Sequence, residues 1–295
     1  MNKAFASYHP VVSFSFFVLI FILAMLLMHP VFVGLNLISA CLFSWFLNGL
    51  KGLRFNLKFG LPMFLLVALA NPLLNHRGKT VLFFFRDNPI TLEATMYGLC
   101  SAASLIGIIV WFSCYNKVIT SDKFLYLFAK VIPSIALLIT MSIRMVYKLR
   151  GQLKMITAAQ HAIGLDAKEG QVRQRIRRGM RTISILLSWA MEDGIETSDS
   201  MKARGYGLKN RSTFSLFKFS RRDGVMLGII MALGAFCWAG YFAGYGVMRF
   251  YPSIAPLKTS SPALGMYLCF FALALMPSLI ELRENVQWRS YKSMI

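Results

Sequence analysis

Charge is scarce in this chain, and acid is scarcer than base. Only 15% of its 295 residues are charged against 57% apolar, with 12 Asp and Glu to 32 Lys and Arg. A soluble domain carries about a quarter charged residues. The shortage excludes an ordinary soluble domain and, with the long apolar runs, makes this an integral membrane protein. The interiors of those runs lack Asp, Glu, Lys and Arg altogether; Glu93 and Glu281 fall at edges. Ion- and proton-driven transporters place ionisable groups at mid-membrane. The lack therefore argues against a self-energised pump, although backbone carbonyls can serve some transporters instead.

Catalytic and ligand-binding patterns are lacking too. The histidines are His9, His29, His76 and His161, far apart and without metal-ligand spacing. Cys41, Cys100, Cys114, Cys237 and Cys269 form no C-x-x-C pair and sit in or beside apolar runs. They read as small hydrophobes in a reducing or lipid setting. Gly78-Lys79-Thr80 resembles the end of a phosphate loop, but Leu73 stands where its first glycine belongs. The sequence thus predicts no cofactor, no metal and no catalytic residue. The chain is not read as an enzyme.

What is present is a series of apolar runs near the length of about 20 residues that a bilayer requires. They cover 11–28, 31–49, 60–75, 95–115, 224–247 and 263–282. The first has only Lys3 before it and no clean cleavage site, so it reads as a retained span. Lys51, Arg54 and Lys58 follow the second run, a large basic block follows the fourth, and Arg283, Arg289 and Lys292 follow the sixth. All three fall on one side, which the positive-inside rule makes cytoplasmic together with both termini. Arg77, Lys79 and Arg86 on the opposite side weaken that contrast.

The net charge of +20 would suggest nucleic acid in a soluble protein. Here it reads as contact with anionic lipid head groups, and no nucleic-acid partner is expected. Residues 116–223 hold 20 of the 32 basic residues and 8 of the 12 acids. Within them Pro133 opens a helical pattern that Gly164 stops. Ile135, Ile139, Ser142, Val146, Leu149, Leu153, Ile156, Gln160 and Ile163 form a seam resembling a coiled coil, with Arg144, Lys148 and Lys154 off it. A second amphipathic helix follows. Arg173, Arg175, Arg177, Arg178 and Arg181 crowd its start, against the helix dipole, where lipid phosphate would offset the cost. Its apolar face is Ile183, Leu186, Leu187, Ala190 and Met191, and Glu192, Asp193, Glu196 and Asp199 read as polar surface. It runs to Gly205. Two such helices read as a lever or docking platform, or equally as a pair lying on the membrane surface. At the end of the second, Arg204 stands between Ala203 and Gly205, where small neighbours let an arginine enter a partner's groove.

Several stretches are similar to one family. They are His9-Pro10; Asn71-Pro72-Leu73-Leu74-Asn75-His76-Arg77-Gly78; Ile90-Thr91-Leu92-Glu93-Ala94 with Tyr97-Gly98; and Thr120-Ser121-Asp122-Lys123-Phe124 with Pro133. Ala159-Gln160 and Ala203-Arg204-Gly205 sit where the family's two short signatures fall. From Tyr8 onward the chain resembles the transmembrane (T) component of energy-coupling factor (ECF) transporters, the EcfT/CbiQ family. The resemblance implies an all-α membrane protein of about six spans with long cytoplasmic coupling helices. It would have a membrane region over 1–115, a coupling region over 116–223, and a membrane hairpin with a basic tail over 224–295. It also implies a non-catalytic subunit in the cell membrane, coupling two ABC ATPase subunits to a small substrate-capture (S) subunit for vitamin or metal-ion uptake.

In that family the arginine of each signature docks on one ATPase. The resemblance carries this role to Ala203, Arg204 and Gly205. The first signature departs from the pattern, reading Ala162-Ile163-Gly164. Ile163 can fill an apolar groove but forms no charged hydrogen bond, so the two contacts are expected to be unequal. The seam from Ile135 to Ile163 would join the coupling helices or pack on the capture subunit. Three other readings are open. An ordinary importer permease would need a Glu where Ala158 stands. A membrane enzyme on lipid-linked substrates would need clustered acids with histidine. A lipid-surface protein would have no ATPase partner.

Overall fold

The computed structural model describes residues 4–75, 78–85, 88–129, 132–164, 171–208, 217–252 and 260–292. His76, Arg77 and Arg86 lie outside them. The chain divides into two compact units, one of residues 1–124 with 217–295 and one of 125–216.

The first unit begins with a short 3-10 turn, Phe5–Ser7, and helix α1, Pro10–Leu26. His9 caps α1, its ring nitrogen accepting from the Val11 N–H, and Pro10 supplies the preset first-turn geometry. Helix α2, Pro30–Leu74, follows and opens the same way with His29 and Pro30. The sequence predicts separate spans at 31–49 and 60–75 with a basic connection. Instead the helix breaks only at Gly49 (φ 62°, ψ −173°) and resumes at once. A residue without Cβ takes that conformation at little cost. Lys51, Arg54 and Lys58 therefore lie on helical backbone rather than in a loop.

Strands β1 (Val81–Phe85) and β2 (Asn88–Thr91) form an antiparallel hairpin, the small exception to an all-helical architecture. Glu93 anchors it by accepting from the Lys79 and Thr80 N–H groups, both at 3.2 Å. A carboxylate of the chain itself thus occupies the backbone donors of the triplet that resembles a phosphate loop. Helix α3, Leu92–Val118, is capped by Thr91, and the short α4, Ser121–Ala129, follows it. The chain returns in α7, Arg221–Phe242, and α8, Ser261–Lys292.

Among the described residues, five helical stretches are long and apolar enough to cross a membrane: Pro30–Gly52, Arg54–Leu74, Leu92–Val118, Arg221–Phe242 and Ser261–Trp288. Helix α1 is a shorter apolar helix of 17 residues. The architecture is that of a multi-pass, helical membrane protein.

The core of this unit is aromatic. Phe5, Phe16, Phe17, Phe43 and Trp111 are fully buried and pack mostly edge to face, a geometry that aromatic quadrupoles favour. Trp111 Nε1 donates to Asn36 Oδ1 at 2.9 Å, which satisfies both polar groups. The Asn71-Pro72 stretch packs against Gly98 where α3 closely approaches α2. A Cβ on Gly98 would lie 2.8 Å from the Ala68 carbonyl oxygen, so the approach requires glycine. Asn71 Nδ2 donates to Ser101 Oγ at 3.1 Å beside it.

Candidate docking site on paired helix ends

The second unit is built on helices α5, Pro133–Ala162, and α6, Val172–Ala203. Lys148 on α5 meets Asp193 on α6, and Gln160 on α5 meets Thr182 on α6. The later residue of one helix meets the earlier residue of the other, so the pair is antiparallel.

Lys148 Nζ donates to both Asp193 oxygens, at 2.7 and 2.9 Å. Thr182 Oγ1 donates to Gln160 Oε1 at 2.7 Å, and both residues are buried. These contacts correct the face assignment made from sequence. Lys148 and Asp193 pair across the two helices, with the Lys148 side chain 37% and the Asp193 side chain 18% exposed. Of the predicted seam, Ile156 and Gln160 are buried, whereas Ile135, Ile139, Val146, Leu153 and Ile163 are exposed. The predicted apolar face of α6 is divided in the same way. Leu186 and Ala190 are half-buried, but Ile183, Leu187 and Met191 are exposed. The exposed stripe continues through Ile176, Met180 and Ile195. The two helices meet through Lys148–Asp193 and Gln160–Thr182 together with a few apolar residues such as Ile156 and Leu186, so most of each apolar stripe is not used between them. Nothing in the residue pattern ranks a Thr–Gln pair above an isoleucine stripe.

Both predicted docking triplets are helix ends with the same backbone construction. At the end of α6, Ala203 is the last helical residue, Arg204 the cap, and Gly205 the left-handed residue after it (φ 80°). The Gly205 N–H donates to the Lys202 carbonyl at 3.0 Å and the Tyr206 N–H to the Met201 carbonyl at 3.0 Å. That pair of bonds is a Schellman closure. It fixes the backbone from which the exposed Arg204 projects. At the end of α5, Ala162 is last in the helix, Ile163 is the cap, and Gly164 is left-handed (φ 74°). The Gly164 N–H donates to the His161 carbonyl at 3.0 Å. Ile163 is 68% exposed, a large apolar side chain in the position that Arg204 holds on the other helix.

The structure does not bring the triplets together. Gln160 lies beside Thr182, so Ile163 is near the start of α6 while Arg204 is at its far end. Ile163 falls opposite about residue 179, about 25 residues before Arg204, so at 1.5 Å per residue the separation is about 37 Å. The arrangement offers two contact points at opposite ends of one helix pair, one cationic and one apolar. Among the described residues no three His, Cys, Asp or Glu side chains gather as a metal site. The residues that sequence reasoning missed are Lys148, Asp193 and Thr182, which hold the pair in register. Their i, i+11 separation on α6 (Thr182 to Asp193) keeps them on one helix face, a weak signal hidden by the stronger apolar one.

Residues 3–214 match the cobalt transport protein family, CbiQ. The energy-coupling factor transporter transmembrane protein EcfT of Exiguobacterium sibiricum is 30% identical over 101 residues, 34% of this chain and 38% of that protein. EcfT of Lacticaseibacillus paracasei is 29% identical over 103 residues, 35% and 39% of the two chains. The chain therefore spans under two fifths of the length of these two relatives. EcfT of Staphylococcus aureus is 23% identical over 248 residues, 77% of this chain and 90% of that protein.

Proposed function

We propose that this chain, which belongs to the CbiQ cobalt transport protein family, is the transmembrane coupling subunit of an energy-coupling factor importer. In this reading two cytoplasmic ABC ATPase subunits dock on the ends of α5 and α6. A small membrane subunit captures the cargo, a vitamin or a metal ion. The chain passes the ATP-driven displacement from one to the other and performs no hydrolysis itself. Residues 125–216 and both termini face the cytoplasm, and the exposed apolar stripes of α5 and α6 pack on membrane partners.

The observation that carries this reading is the duplicated helix end. Ala203-Arg204-Gly205 and Ala162-Ile163-Gly164 each place one large exposed side chain on a rigid left-handed cap, between residues too small to obstruct it. One cap on each of two helices suits two docking subunits. Arg204 supplies charge-assisted hydrogen bonds and Ile163 only apolar contact, so the Arg204 contact is the stronger one. An ordinary permease would enclose its own polar substrate path, and the apolar interiors of the spans do not favour that.

Affinity purification from the native membrane in mild detergent tests the reading. Wild type is expected to bring down two ATP-binding subunits and a small membrane protein. Arg204→Glu, which reverses the charge at an exposed position, is expected to lower ATPase recovery by about tenfold or more. Equal recovery with both chains, or no ATPase with wild type, would overturn it.

A further inference from the structure

The chain leaves the membrane unit after Phe124 and re-enters it at Phe217. Residues beside both crossings converge on one short stretch, Phe5–His9. The Phe5 N–H donates to Glu281 Oε1 at 3.2 Å. Lys123 Nζ donates to the Ala6 carbonyl and, at 3.2 Å, to the Val118 carbonyl. Arg222 Nη2 donates to Ser7 Oγ at 3.1 Å, and its guanidinium carbon lies 4.2 Å from the centre of the Tyr8 ring. Asp223 Oδ1 accepts the His9 N–H at 3.2 Å. Its Oδ2 accepts the Ser220 hydroxyl at 2.7 Å and the Ser220 N–H at 3.0 Å, closing a capping box on α7. The His9 ring packs edge-on against Phe219, 5.2 Å between centres.

Glu281, Lys123 and Asp223 are 6%, 8% and 4% exposed. Burial pulls the Lys123 ammonium below the ordinary lysine pKa. Burying charge is costly unless hydrogen bonds offset it. Holding the N-terminal segment does not require it, since Phe5 is already fully buried against Phe16, Phe17 and Phe43. What the charged groups add is stiffness, because charge-assisted hydrogen bonds are short and geometrically demanding. Lys123 lies on α4 in the outgoing segment, and Arg222 and Asp223 lie on α7 in the returning one. Both segments are thus tied to the same five residues.

We propose that Phe5–His9 is a clasp that makes the two crossings move as one, with Lys123, Arg222 and Asp223 as positioning residues. A displacement of residues 125–216 then reaches α1, α7 and α8 together instead of being lost in the bending of two separate segments. This inference rests on the coupling role proposed above.

Amide hydrogen exchange on the purified full chain in detergent tests the clasp without any partner. Lys123→Met is expected to raise exchange over 118–124 and also over 217–223, by about fivefold, although the Lys123 hydrogen bonds to Ala6 and Val118 lie elsewhere. Lys123→Arg is expected to restore much of the protection. A rise confined to 118–124 overturns the clasp. Arg222→Leu repeats the measurement from the returning segment, and because Arg222 is exposed it spares the fold if Lys123→Met does not.

In the complex purified with its ATPases, MgATP is then the probe. It is expected to alter exchange over 125–216 and over 10–15 and 221–226 in wild type. In the variants the second pair of changes falls about fivefold while hydrolysis continues. Changes equal to wild type in both variants overturn the clasp. If no ATPase joins the chain, the coupling role fails instead, and the exchange of the isolated chain still decides the clasp.

Discussion

The two units of this protein bury their side chains in opposite ways. In the membrane unit a cluster of large aromatic residues, Phe5, Phe16, Phe17 and Phe43, is buried around Trp111, where Asn36 accepts the indole N–H, while others such as Phe55, Phe59 and Phe112 are exposed. In the 125–216 unit the large apolar residues are outside. Ile176, Met180, Ile183, Leu187, Met191 and Ile195 are all exposed, and the two helices are held by Lys148–Asp193 and Thr182–Gln160. A helix of about 30 residues with a polar packing face gains little from its own fold, because most helical stability comes from burying an amphipathic face. The second unit therefore leaves its apolar stripes exposed, and these are where partners would pack on the reading proposed above. The contrast teaches where to look for partners: on the stripes and the caps of α5 and α6, not in the membrane core.

The comparison breaks most readily at Trp111. Trp111→Ala empties a fully buried site and leaves Asn36 without its donor. A loss of about 3–5 kcal/mol is expected, read as a large fall in the unfolding temperature of the purified chain in detergent. A small change would mean that the aromatic core is looser than its packing indicates.

Thr182→Val sharpens the second half of the contrast. The substitution keeps the shape and strands the buried Gln160 carbonyl oxygen, at a cost of about 1–3 kcal/mol. Exchange should rise along α5 and α6 while the membrane unit keeps its protection. Protection unchanged in α5 and α6 would show that the polar pair does not hold them.

The smallest effect is expected on the stripe. Leu187→Ala removes an exposed side chain and should shift the stability of the isolated chain by less than about 0.5 kcal/mol. In the complex the same variant should reduce partner recovery if the stripe packs on membrane partners as proposed above. Equal recovery would leave the stripe without a role.

Much of the fold is legible in the sequence because its determinants are local. Pro133 starts α5, Gly164 and Gly205 stop α5 and α6, and the apolar runs mark the spans. The Ser220-x-x-Asp223 spacing of a capping box is also legible in principle. The faces of α5 and α6 are not. Periodicity shows that a stripe exists, and reading it as the internal seam assumes that the strongest apolar face is the one the chain itself covers. Ile183 and Leu187 violate that assumption, and Lys148 and Asp193 take their place. The candidate docking residues are legible as motifs, but their shared cap geometry and their separation are not.

By itself the sequence determined that this chain is a helical membrane protein with apolar, uncharged spans and two glycine-stopped amphipathic helices. Length, hydropathy and the left-handed preference of glycine are properties of a residue and its near neighbours. Only the tertiary structure decided that, among the described residues, the stripes of α5 and α6 stay exposed. It also decided that Phe5–His9 is gripped by Lys123, Asp223 and Glu281. Those bonds join residues 117, 214 and 276 positions apart. Such contacts follow from where the helices end in space, which no local pattern encodes.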